Sequence, residues 1–125
     1  MGSSPKLLDI PYLAETPAAA LLEVCVRTSA NDMPPGFTLL PIETPRGTMN
    51  TVDFQTLPAD WRERLDVTRD LGTTWLEANR TAALRVASAI VPETWDVLLN
   101  PGHPRAGEFR VTESIGFPFD RGLTR

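Results

Sequence analysis

The sequence has few of the residues that build metal centres and covalent cross-links: one cysteine, one histidine and one lysine in 125 residues. A lone cysteine, Cys25, excludes an internal disulfide. One histidine and one cysteine are a poor start for an all-protein zinc site, so no metal is expected. No apolar run approaches the ~18 residues that cross a bilayer, so no membrane span is expected. There is no glycine-rich phosphate loop and no G-x-S-x-G elbow. The leading "MGSSPKLLDIPYL" has neither a long apolar core nor a small-residue cleavage site, and it does not read as a signal peptide. Together with the single cysteine this predicts a cytoplasmic protein in a reducing compartment. Lys6 is the only lysine, the eleven arginines are scattered, and the net charge is −4. Without a basic cluster, nucleic acid is not an expected partner.

What is present fits one domain over residues 1–125, with 42% apolar and 22% charged residues. Twelve prolines favour short elements and defined turns. "LLDIPYLAE" reads as a strand with Leu8, Ile10 and Tyr12 on one face, and Pro11 pushes it toward an edge. A helix is predicted over 17–27, with Thr16 as N-cap and Pro17 at its first position. Its apolar residues span more than half the wheel, which predicts burial on more than one side. "FTLLPIET" reads as a second strand, "PRGTMNTVDFQTLP" as an ordered loop, and "PADWRERL" as one or two helical turns. In "TRDLGTTWLEANR" the i, i+4, i+7 spacing of Leu71, Trp75 and Ala78 predicts a helix capped by Thr68. "LRVASAIVP", "TWDVLLN" and "FRVTESI" read as strands, with "PGHPRAGEF" as a turn. The fold class is α+β, a mixed, largely antiparallel sheet with packed helices.

Glu23 is a carboxylate on an apolar helix, so it must be paired, neutralised or used. One reading pairs it with Arg27, four residues on. The other turns it toward a cleft, where it binds a hydroxyl or steadies a developing cation. Ser88 is a hydroxyl on an alternating strand and needs a hydrogen-bond partner if buried. Tyr12 reads as core packing with its hydroxyl at the rim. Cys25 reads as a core filler, and His103, in the turn "NPGHP", as structural or solvated.

The blocks "PYLAETPAAALLEVCVR", "FTLLPIETP", "LPADWRE", "TRDLGTTWLEANRTAALRVASAIVPETWDVLLNPGHP" and "FPFDRGL" occur in order between Ile10 and Leu123. Together they resemble the RES domain, the toxin half of a bacterial toxin–antitoxin pair. The family is named for an Arg, a Glu and a Ser. The resemblance implies an ADP-ribosyltransferase-like fold and consumption of NAD, as substrate, by cleavage of its nicotinamide–ribose bond. It implies a cognate antitoxin as partner. By motif, the family Glu falls on Glu23, the family Ser on Ser88, and the tyrosine of the Y-x-A-E-(S/T)-P block on Tyr12. Glu23 and Ser88 are the expected catalytic pair. All three residues are expected to line one NAD-binding pocket wall.

The family's arginine segment lies upstream of the tyrosine block, and "MGSSPKLLDIP" holds no arginine. The chain therefore reads as N-terminally shortened, with a sheet edge exposed for self-association. A second reading follows, a truncated, catalytically inactive domain that only binds its antitoxin. A third lets Arg46 or Arg105 stand in for the missing arginine.

Overall fold

Two short strands flanked by prolines frame the first helix. β1 (Tyr12–Ala14) leads into α1 (Pro17–Arg27). β2 (Gly36–Leu39), β3 (Ile42–Glu43) and β4 (Met49–Thr51) follow. Two 3-10 turns, Phe54–Thr56 and Trp61–Glu63, precede α2 (Leu65–Ala78). The chain closes through β5 (Ala83–Ala87), β6 (Trp95–Leu99), a turn at Ala106–Glu108, β7 (Arg110–Val111) and β8 (Ile115–Pro118). The computed structural model describes residues 10–27, 32, 36–89 and 93–118.

The fold is α+β. The main sheet has the order β1-β6-β5-β4, antiparallel except where β4 runs parallel to β5. β2 pairs with β8 and β3 with β7, both antiparallel. The alternation of β5 and β6 sends Leu84 and Leu98 to one face, directly opposite each other. α2 lays Trp75 on that face, and Ile10, Trp75, Leu84 and Leu98 form the buried core. Leu71, Leu76, Val52 and Val86 pack against it.

Buried polar groups lock the far end of this layer. Asn79 ends α2 in the left-handed conformation at φ 52°, a place where asparagine is tolerated. Its side chain accepts from the Asn100 amide at 2.9 Å, and Asn100 accepts from the Gly102 N–H at 2.9 Å. The Trp75 indole N–H donates to Thr81 at 3.0 Å. Thr48 is fully enclosed and donates to the Pro45 carbonyl at 2.6 Å. These bonds satisfy groups that would otherwise destabilise the core.

Several expectations need correction. "FTLLPIET" is two strands, because Pro41 has no N–H for a ladder and the chain turns there. The segment read as a loop contains β4, whose ladder with β5 overrides its weak periodicity. α2 begins at Leu65, and Thr68 lies inside it with its hydroxyl on the Leu65 carbonyl at 3.2 Å. "FRVTESI" divides into β7 and the start of β8. α1 keeps its expected bounds, and Thr16 Oγ1 accepts from the Ala19 N–H at 3.1 Å. It is not buried on several sides, since Leu22 and Val24 are exposed. Among its described side chains Ala19 is buried, and Ala20, Leu21 and Glu23 are half-buried. Leu8 and the side chains of Cys25 and Arg27 lie outside what is described.

Leu98 is 4% exposed and sits between Leu84 and Tyr12 across the sheet. Leu98→Ala is expected to destabilise the chain by about 2–5 kcal/mol, read as a lower urea midpoint at unchanged m-value.

Candidate functional site

The Ser88 hydroxyl donates to Glu23 Oε1 at 3.1 Å, across 65 residues of chain. The two arrive from different elements. α1 is started by the Thr16 cap and carries Glu23 on its second turn, half-buried. Ser88 follows the last residue of β5, and its N–H still bonds the Thr94 carbonyl at 2.8 Å. Its side chain is 2% exposed. A second tie joins the same elements: Arg85 on β5 donates to Glu15, just before the α1 cap, at 2.7 Å. Arg85 also stacks on Trp95, 4.1 Å from the ring centroid. The pairing of Glu23 with Arg27 involves a side chain outside those described.

Beside this pair lies a cavity of about 360 Å³, within the size range of small-molecule sites. Ala87 and Ala89, which flank Ser88, line it. Its floor is the sheet face of Leu84, Val86 and Leu98, and its far wall is the start of α2 with Leu71 and Gly72. Phe54 and Trp61 supply aromatic surface, their centroids 4.5 Å apart and their planes tilted by 39°. Tyr12 lines the cavity and is 55% exposed, so it is not a core residue; its ring is offered at the mouth. The polar members of the wall are Arg62, Glu63, Thr68 and the buried Asp96. Glu23 and Ser88 are not in the wall itself. The carboxylate–hydroxyl pair stands next to an apolar, ring-lined space.

The ring-lined space can hold a flat heterocycle by stacking, with the Glu23–Ser88 pair joined to it through Ala87 and Ala89. A hydroxyl that donates to one carboxylate oxygen sets the orientation of the other. Among the described residues no cluster of three or more His, Cys, Asp or Glu side chains could hold a metal ion. No helix among them is long and apolar enough to cross a membrane.

Neither arginine considered as a stand-in reaches the cavity. Arg105 is held by both Glu108 oxygens at 2.7 and 3.0 Å, which raises the guanidinium above its ordinary range and lowers the Glu108 carboxyl below its own. Arg46 lies exposed in a turn with Gly47, whose φ is +74°. His103 is part of its turn, with Nδ1 accepting from the Arg105 N–H at 3.0 Å. The aromatic wall and Asp96 were not visible as site residues. Phe54, Leu57 and Trp61 fall at i, i+3 and i+7, but Pro58 interrupts the stretch and only two short 3-10 turns form. That helical spacing of large apolar residues across a proline was the one signal that the stretch folds inward.

The sequence profile of the RES domain family matches residues 5–120. A protein named Toxin Res from Photorhabdus laumondii is 36% identical over 92 residues, which is 72% of this chain and 59% of the relative. Another Toxin Res, from Pseudomonas putida, is 35% identical over 104 residues, 82% of this chain and 71% of the relative. A Prs ADP-ribosylating toxin from Sphingobium is 35% identical over 121 residues, 93% of this chain and 75% of the relative. The chain thus spans less than two thirds of the first of these and about three quarters of the other two.

Ser88→Ala removes the donor to a half-buried carboxylate oxygen. It is expected to lower stability by about 1–2 kcal/mol. In the double cycle with Glu23→Gln the two losses are expected to be non-additive, as measured by denaturant unfolding.

Proposed function

The chain belongs to the RES domain family, and on that premise we propose that it is the toxin of a toxin–antitoxin pair. It consumes NAD by cleaving the bond between nicotinamide and ribose. Glu23 and Ser88 are the catalytic pair, and Tyr12 helps to bind the dinucleotide. The observation that carries this reading is the 3.1 Å hydrogen bond between Ser88 and Glu23 beside a ring-lined cavity. The Sphingobium relative is named for ADP-ribosylation, a reaction whose ADP-ribose donor is NAD. That supports NAD as substrate here. An ADP-ribosyltransferase-like fold goes with the same reading.

The chemistry follows from where charge develops. The bond from ribose C1′ to the pyridinium nitrogen breaks, and both its electrons go to the nitrogen. Nicotinamide leaves neutral, and positive charge passes to C1′ and the ring oxygen. A fixed carboxylate beside that carbon lowers the energy of the cation, and a site with little water strengthens the effect. Glu23 supplies the carboxylate. Ser88 holds one of its oxygens, so the other needs no reorientation as the charge appears. An acceptor with a lone pair, whether water, phosphate or a protein side chain, then forms the new bond at C1′, and its proton goes to solvent. Tyr12, largely exposed at the mouth, offers a face to the heterocycle. A cognate antitoxin would restrain the activity by covering this mouth. Self-association would use β1 or β4, which carry no further strand among the described residues.

Incubation of the purified chain with NAD is expected to release nicotinamide, followed by chromatography. Glu23→Gln is expected to slow release by about 10²–10³-fold, the scale for losing one preorganised electrostatic contact. Ser88→Ala is expected to slow it by about tenfold, as for one lost hydrogen bond to a charged group. A folded chain that releases no nicotinamide, or a Glu23→Gln variant as fast as the parent, overturns the reading.

A further inference from the structure

We infer that Arg62 takes the diphosphate of the dinucleotide at the rim of the cavity, while the interior takes a ring; the assignment rests on the NAD reading above. Arg62 is the arginine that lines the cavity among the described residues. Its guanidinium lies 4.5 Å from the centroid of the Trp61 ring, and Trp61 is only 6% exposed. The platform beneath the cation is therefore fixed. A guanidinium held over a ring by a cation–π contact, and engaged in no ion pair among the described residues, keeps a planar fork of N–H donors, which matches two phosphate oxygens. Stacking also restrains the side chain before ligand arrives, so less freedom is lost on binding.

Three other arginines are held in ion pairs. Arg64 pairs with Asp66 at 3.0 Å, Arg85 with Glu15 at 2.7 Å, and Arg105 with Glu108 at 2.7 Å. Arg62 makes no ion pair among the described residues. Its position also sorts the two ends of the ligand. Asp96 is buried in the wall of the same cavity while Arg62 is exposed, so the cavity offers an anion its cation at the outer end and a carboxyl group within. The nicotinamide ring of the intact substrate is cationic and meets the aromatic faces of Phe54 and Trp61 in the cavity wall. The diphosphate then falls outside, where Arg62 stands.

The test compares the chain with Arg62→Gln and Arg62→Lys, using ADP, NAD and nicotinamide riboside as probes and tryptophan fluorescence with calorimetry as readouts. Arg62→Gln is expected to weaken ADP and NAD by about tenfold to a hundredfold, the scale of a charge-assisted pair. Nicotinamide riboside, which has no phosphate, is expected to bind both forms equally. Arg62→Lys is expected to recover only part of the loss, because an ammonium cannot fork. Equal thermal midpoints confirm that the exposed substitution leaves the fold intact. ADP bound as tightly by Arg62→Gln as by the parent, or not bound by the parent, overturns the assignment. If ADP binding depends on Arg62 but no nicotinamide is released, the assignment stands and the cleavage reading falls. If nicotinamide is released with an unchanged KM in Arg62→Gln, the assignment falls and the cleavage reading stands.

Discussion

The hydrogen bond from Ser88 to Glu23 is the contact on which the candidate site depends. It joins the second turn of α1 to the end of β5, and it sits where β5 stops being a ladder. Neither partner would be placed without local devices. Thr16 fixes where α1 begins, and the bond from Ser88 N–H to the Thr94 carbonyl extends the β5–β6 register by one step. Arg85 and Glu15 brace the start of α1 to the same strand. A half-buried carboxylate on a helix made of alanine, leucine and valine is costly unless something meets it, and here a hydroxyl does.

The second organising feature is a run of rings between two cations. Arg62 stacks on Trp61, Trp61 meets Phe54, Phe54 approaches Trp95 at 5.9 Å, and Arg85 stacks on Trp95. The run passes from the cavity wall to the strand that carries the α1 brace. Aromatic contacts of this kind contribute directional packing beyond area burial. They let a segment with little regular structure hold a defined wall.

Much of the frame was legible and part of the site was not. α1 could be read to the residue because its cap, its proline and its apolar content agree. β5 and β6 could be read from alternation. β4 could not, since three residues of "MNT" carry no pattern and become a strand only because β5 is there to pair. The break at Leu40 and Pro41 was visible as a proline, but its effect of sending β2 and β3 to different partners is tertiary. Glu23 and Ser88 stood out singly as polar groups in apolar settings. Their meeting could not be read from spacing across 65 residues; it was expected from the family resemblance. Phe54, Trp61, Arg62 and Asp96 passed unnoticed because a cavity is made by chain segments facing each other, which no local period reports.

The parallel pairing of β4 with β5 has a cost in assembly. Parallel neighbours cannot be joined by a tight hairpin, so about thirty residues must leave the sheet and come back. Here that excursion holds both 3-10 turns and α2, and it forms one side of the cavity while the sheet forms the other. A nascent chain therefore has no partial version of the pocket. The space comes into being when the excursion settles onto the sheet, and it is lost when the excursion lifts off. Loosening α2 should open the cavity and unsettle the core together, because Trp75 belongs to the core and Leu71 to the cavity wall.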